Sequence, residues 1–247
     1  MNKTYSETFR IRGTECDIYS RWRLDAMFLN MQEVGEMHAS QLGVGYPAML
    51  ARGLFFALTR VHVSVFKAPV AGQTITHTTW PGATNRFFCP RYHAFYAEDG
   101  TLLAAAGALW VMLDMEKRTI VSPLKVELNF PDNSDIPSPI SLPSRMPVLS
   151  ADAVHITRTP VYSEFDVNRH INNTKYIAWL CDSIGKDTLK DAYIGDFVAG
   201  YEKEIREEKP LDLAISINDD AFTFCVSSGS DKHFVAGGTL RREEHHE

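Results

Sequence analysis

The amino-acid sequence predicts an α+β protein made of two tandem copies of one unit, each a long helix followed by a run of antiparallel strands. Three observations lead there. Two stretches with helical spacing each stop at glycine, the first near Gly43 and the second at Gly185. Alternating apolar residues follow each of them: Val61, Val63 and Val65 in the first half, Phe222, Phe224 and Val226 in the second. Between the halves, Asn129 to Ser150 holds Pro131, Pro137, Pro139, Pro143 and Pro147 and keeps neither period. The 247 residues therefore divide into a first unit over 1–130, a proline-rich linker or extended crossover over 131–150, and a second unit over 151–247.

In chain order, Asp25 opens the first helix. Its apolar residues Leu24, Met27, Phe28, Met31, Val34 and Leu42 recur at three and four, with His38 on the same face, and Gly43 and Gly45 end it as a C-cap does. The valine alternation then runs toward Pro69, and Glu98-Asp99-Gly100-Thr101 has the composition of a hairpin turn. Beyond the linker, Asp166 precedes a shorter helix with Tyr176, Ile177, Leu180 and Ile184 on one face. Asn172 or Asn173 is its N-cap and Gly185 its end. Tyr201 to Arg206 is expected as a strand leading to Pro210, and Ser228-Gly229-Ser230-Asp231 as the counterpart turn. An offset of 141 lays Asp25 on Asp166 and Pro69 on Pro210, while Gly107 and Gly237 match at 130. A helix wrapped by such a sheet is the hotdog arrangement, and two in tandem make a double hotdog.

Composition excludes several classes. The chain is 45% hydrophobic and 23% charged, the balance of a globular protein and not of a disordered one. The longest apolar run, Leu102 to Leu113, falls short of the roughly 20 residues a membrane span needs. Met1 to Glu7 lacks the apolar core of a signal peptide, and Cys16, Cys89, Cys181 and Cys225 are scattered without a disulfide or metal spacing, so a cytoplasmic protein with reduced thiols is expected. A net charge of −6 without a basic run argues against nucleic acid. That charge is uneven. Residues 1–130 carry 13 Lys/Arg against 11 Asp/Glu and the remainder 12 against 20, so an acidic partner favours the first half. His62, His77 and His93 have no metal-ligand spacing, His38 suits a satisfied core or pocket-lining histidine, and His245-His246 suits a disordered chain end. No metal and no cofactor are expected.

The stretch most suited to chemistry is Phe165-Asp166-Val167-Asn168-Arg169-His170-Ile171-Asn172-Asn173-Thr174-Lys175-Tyr176. If the backbone approaches the helix extended, Asp166, Asn168 and His170 share one face beside the helix N-terminus. Unpaired N–H groups and the helix dipole there stabilise an oxyanion such as forms when water attacks a thioester, and favour a neutral His170. The same residues also fit a plain turn, with Asp166 and Asn168 bonding the backbone and His170 a satisfied loop histidine.

This segment resembles the D-x-N-x-H-x-N-N-x-K-Y segment of the acyl-acyl carrier protein (acyl-ACP) thioesterases, double-hotdog hydrolases that release fatty acids from their carrier. Tyr201-Glu202-Lys203-Glu204-Ile205 is similar to that family's second catalytic segment, a Tyr followed three residues later by Glu. The resemblance implies a catalytic set of Asp166, Asn168, His170 and Glu204, and a partner that is an acyl carrier protein bearing a fatty acyl chain. Where plant members have Cys after that Glu, this chain has Ile205. Cys181 is no substitute, since 11 residues of mostly helix at about 1.5 Å each hold it more than 10 Å from His170. Water is then the nucleophile and Glu204 the general base, with His170 and Asn168 orienting the reactants and Asp166 ordering the site. The 141-residue offset sets Glu204 over Val63, an inward position where burial raises a carboxyl pKa; Glu202, over Val61, is the alternative.

Met27, Met31 and Phe56 are the candidates for lining an acyl pocket in the first half, and Arg10, Arg12, Arg21, Arg23, Arg86 and Arg91 for receiving the acidic carrier. Rival functions are an acyl-CoA thioesterase and a non-catalytic acyl-binding protein; a hydroxyacyl dehydratase would resemble a His-Phe-Pro pattern where this chain has His-Ile-Asn. A homodimer is compatible with the sequence.

Overall fold

The structure, a computed structural model, describes residues 2–242; His245-His246 lies outside the described residues. The chain forms two compact units. Unit 1 is made of residues up to Arg23 together with Met27–Pro143, and unit 2 of Leu24–Ala26 and residues from Ser144 onward. The division falls inside the proline-rich segment, whose two ends pack on different units.

Unit 1 contains β1 (Tyr5–Arg10), α1 (Leu24–Gln41) from Met27 onward, α2 (Tyr46–Leu50), β2 (Leu54–Val65), β3 (Thr74–Pro81), β4 (Phe88–Ala97), β5 (Leu102–Asp114) and β6 (Ile120–Val121). Its sheet is antiparallel in the order β1-β3-β4-β5-β2, with β6 on β5. Gly43 follows α1 with φ +74°, the left-handed geometry of a helix end. The apolar run Leu102 to Leu113 is the central strand β5. Ala104, Ala106 and Ala108 pair with Phe95, His93 and Arg91 on one side and with Val65, Val63 and Val61 on the other, and all three alanines are buried. A strand covered on both faces reads as continuously apolar.

Unit 2 contains β7 (Val154–Arg158), α3 (Asn173–Ile184), β8 (Ala192–Tyr201), β9 (Leu211–Asn218), β10 (Ala221–Ser228) and β11 (Asp231–Arg242), in the order β8-β11-β10-β9-β7. Asn172 caps α3, and Gly185 ends it at φ +85°. β10 buries Phe222, Phe224 and Val226 as the alternation requires. Matched strand for strand, β7-β9-β10-β11-β8 repeats β1-β3-β4-β5-β2.

The hydrogen bonds correct the offset. In unit 1, Asp17 N donates to Arg21 O (2.8 Å), Trp22 N to Pro69 O (2.7 Å) and Arg23 N to Glu15 O (3.0 Å). In unit 2, Asp166 N donates to His170 O (3.0 Å), Ile171 N to Ile205 O (2.9 Å) and Asn172 N to Glu164 O (2.9 Å). Asp166 therefore corresponds to Asp17 and not Asp25, at an offset of 149, and Ile205 to Pro69 at 136. Leu103 O accepts from Phe66 N and Lys67 N as His233 O accepts from Glu202 N and Lys203 N, which keeps 130 for the last hairpin. Glu204 accordingly corresponds to Ala68, not Val63, and Glu202 to Phe66, not Val61.

The segment between the units is extended and half-buried. Ile140 and Leu142 lie on Gly107 of β5, and His62 Nδ1 donates to Ser141 O (2.8 Å). Farther on, Met146 lies on Gly200 of β8 and Pro147 on Gly237 of β11, where a methyl group would meet them at 2.6 Å. The pairing of Gly107 with Gly237 in sequence has this common cause: each makes room for the crossing chain.

Candidate active site

The site hairpin of unit 2 starts from a buried carboxylate. Glu164, at the end of the short 3-10 turn Tyr162–Glu164, accepts from Trp179 Nε1 on α3 (2.8 Å), from Val161 N (2.8 Å) and from the Arg158 guanidinium of β7. Burial alone raises the proton affinity of this group, but Arg158, Trp179 and the Val161 amide outweigh it and hold the carboxyl below its ordinary range.

From Glu164 the chain does not approach α3 extended. Phe165 and Ile171 bridge each other, Arg169 sits at φ +59°, and Asp166 Oδ1 accepts from Asn168 N (2.8 Å). The expectation that Asp166, Asn168 and His170 share a face is therefore corrected. A tight turn brings the ends together, with His170 Nδ1 3.6 Å from Asp166 Oδ2, and leaves Asn168 on the exposed side. His170 Nδ1–H donates to Ile171 O (3.2 Å), an assignment made from the hydrogen-bond geometry. The helix N-terminus is partly self-satisfied: the Asn172 side chain accepts from Thr174 N (2.9 Å) and Thr174 Oγ1 (2.8 Å), and Asn172 O from Lys175 N (2.9 Å).

Glu204 differs most from expectation. β8 stops at Tyr201, residues 202–210 form a loop, and both Glu202 and Glu204 are exposed while Ile205 is the buried residue. The inward, alternating placement is thus overturned, because the repeat partner of this stretch is the loop around Pro69 and not the valine strand. Glu204 Oε2 is held by Arg206 through Nη2 (2.5 Å) and Nε (3.1 Å). The loop is nonetheless fixed. Ile171 N holds Ile205 O, and the Tyr176 phenol bonds the Ile205 main chain. Burial, followed by the charge of nearby Glu204, pushes that phenol above its ordinary range. Asp166 and His170 thus meet directly, and Glu204 is tied to them through the Ile171–Ile205 hydrogen bond.

Two of the four thiols are poor nucleophiles. Burial pushes Cys89 up to about 12 and raises Cys225, and Ile205 occupies the position after Glu204. Among the described residues no group of three or more His, Cys, Asp or Glu is arranged to hold a metal.

In unit 1, Met27 and Met31 are buried on the early turns of α1. Phe56 instead packs with Leu42, Val44, Met49, Cys89 and Met112 beyond its far end. Fifteen residues of helix, about 20 Å, separate Met27 from Leu42. Between them lies a polar chain that the sequence did not disclose. His77 Nδ1 donates to Asn30 Oδ1 (2.8 Å), His93 Nδ1 to His77 Nε2 (2.9 Å), and Arg91 Nη1 to His38 Nδ1 (3.4 Å) and Thr79 Oγ1 (3.2 Å). His38 is a satisfied core histidine as expected. Arg91 and Arg21 are buried, the latter on Asp17 (3.1 Å), and are removed from the docking candidates; Arg10, Arg12, Arg23 and Arg86 are exposed.

Two helix-and-sheet units in tandem define a class of fold, the double hotdog, and comparison with known proteins gives the family. Residues 2–127 match the model of the acyl-ACP thioesterase N-terminal domain and residues 151–236 that of the C-terminal domain, so the chain belongs to the acyl-ACP thioesterase family. It is 25% identical over 228 residues to a chloroplastic acyl-acyl-carrier-protein hydrolase of Cuphea viscosissima, covering 87% of this chain and 55% of that protein. It is 27% identical over 241 residues to a chloroplastic palmitoyl-acyl carrier protein thioesterase of Gossypium hirsutum, covering 91% and 58%. The chain thus spans little more than half the length of those relatives. Among solved structures, an acyl-ACP thioesterase from Bacteroides thetaiotaomicron superposes with a TM-score of 0.89 at 22% identity, over 97% of this chain and 98% of that one. The fold is therefore the tandem double hotdog that the sequence predicts.

Proposed function

We propose that this chain hydrolyses fatty acyl-acyl carrier protein thioesters to free fatty acid and carrier thiol, without a cofactor. The observation that carries the reading is the contact of His170 with Asp166, tied to the Glu204 loop by the Ile171–Ile205 hydrogen bond. Glu204 takes a proton from water as its oxygen bonds to the acyl carbon; the tetrahedral intermediate collapses with loss of the C–S bond, and the proton passes to the departing thiolate. Asp166 orients the imidazole, which with Asn168 aligns water and the thioester oxygen. Met27, Met31 and Phe56 of unit 1 remain the candidate contacts of the acyl chain. The acidic carrier docks on Arg10, Arg12, Arg23 and Arg86. With all four cysteines unpaired, we assign the reaction to the cytoplasm.

The test is a panel of acyl carrier protein and acyl-CoA thioesters from C8 to C18, scored for thiol release. Turnover of the carrier thioesters with much weaker turnover of the CoA series is the expected result. Preference for CoA overturns the partner, and no turnover of either series overturns the activity.

A further inference from the structure

The two units provide an internal comparison at the loop that carries Glu204. In unit 1, Leu103 O accepts from Phe66 N (2.8 Å) and Lys67 N (3.1 Å), and the loop continues to Ala68. In unit 2, His233 O accepts from Glu202 N (2.9 Å) and from Lys203 N, and the loop continues to Glu204. The backbone arrangement is the same, with a buried leucine at one position and a buried histidine at the other. The fold alone does not require an imidazole there.

What the imidazole adds is a third hold on the loop. His233 Nδ1–H donates to Lys203 O (3.0 Å), the carbonyl whose peptide bond leads into Glu204, and Ser228 Oγ lies 2.7 Å from Nε2 and donates to it. The ring is thereby fixed on both nitrogens, in one tautomer, between the last β-hairpin and the loop. The other hold on Lys203, its ammonium on Asp231, joins two half-exposed side chains and restrains the backbone little. A carboxylate on an exposed loop needs such restraint to present itself in one geometry, and Ala68 does not.

We infer that His233, backed by Ser228, is a positioning residue for Glu204. It touches neither water nor thioester and acts by fixing the peptide that precedes the base. The inference rests on the proposed role of Glu204.

The experiment measures kcat and KM of H233L, H233N, H233Q and S228A with the best thioester of the C8–C18 carrier panel, and of H233L combined with E204Q. H233L recreates the Leu103 arrangement and is expected to fold, with kcat down tenfold or more and KM within about twofold. Asn places an N–H near the Nδ1 position, so H233N is expected to restore kcat to within about threefold of wild type; Gln reaches the Nε2 position instead, so H233Q does not. S228A, which frees the ring to turn, falls between them. In the E204Q background H233L is expected to lower kcat no further. H233L at wild-type kcat, equal losses in H233N and H233Q, or the same loss from H233L with and without E204Q would each overturn the inference. Should H233L fail to fold, the comparison of H233N with H233Q decides. E204Q at wild-type kcat overturns the base assignment itself, a result distinct from the others because it needs no change at His233.

Discussion

Glu204 and Glu202 are two exposed carboxylates two residues apart, and only the first sits next to the residue that Ile171 and Tyr176 hold. Glu204→Gln keeps the shape and removes the proton acceptor, so kcat is expected to fall about a hundredfold with KM little changed. Glu202→Gln is expected to stay near wild type. The reverse outcome in steady-state kinetics would sink the assignment. Because Cys89 and Cys225 are buried with raised thiol pKa values and Ile205 follows the glutamate, Cys181→Ser is expected to leave kcat within about twofold; an acyl group found on any cysteine in a quenched turnover would contradict this. At this scale the sequence motif names residues and is silent about their surroundings. The Asp166–His170 contact depends on Arg169 adopting φ +59°, which an arginine does not advertise. The Glu164 network joins β7, the 3-10 turn and α3, and no local pattern records a bond from Trp179 to a carboxylate 15 residues earlier.

Helices and hairpins were legible where period and punctuation agree. α3 begins after Asn172 and ends before Gly185 as read, and the two Gly-containing hairpin turns fall between β4 and β5 and between β10 and β11. The offset between the units was not legible, because unit 1 has a longer helix, the additional α2 and a longer β3–β4 connection. The offset therefore drops from 149 to 136 and then to 130, and matching one Asp and one Pro averaged over these gaps. The polar chain under α1 was also missed: histidines in β3 and β4 meet only through strand register. It has a measurable consequence. Burial, then the Arg91 charge, pushes His77 down to about 3; burial, then His77 and Arg91, lowers His93. Both are neutral when folded and regain a pKa near 6.5 when unfolded, so the unfolded chain binds more protons below that value. Their stability contribution is complete above about pH 6.5 and is lost as pH falls toward 3, at up to about 1.4 kcal/mol per pH unit for each histidine. Urea unfolding at pH 7 and pH 5.5 is expected to show this loss, smaller in His93→Asn. Equal stability at both pH values would contradict it.

For the molecule as a whole, an uneven charge distribution bears on encounter with the proposed acidic carrier. Of the candidate arginines, the exposed Arg10, Arg12, Arg23 and Arg86 remain in the half with excess positive charge. kcat/KM for an acyl carrier protein thioester is expected to fall severalfold between about 50 and 500 mM salt through slower association, with kcat unchanged. A flat salt profile would remove these residues from the docking surface. The proline-rich segment, meanwhile, has the composition that protein engineers and proteases alike look for, polar, short of regular structure and rich in proline. Its seating on Gly107, Gly200 and Gly237 makes it a poor choice for either. A protease must peel roughly eight or more residues off the sheets to accommodate them, and an inserted tag would lift Ile140, Leu142 and Met146 out of their places. Tolerance to nicking and insertion is then expected at the Glu98–Thr101 and Ser228–Asp231 tips, and not at what looks from sequence like the natural seam of the chain.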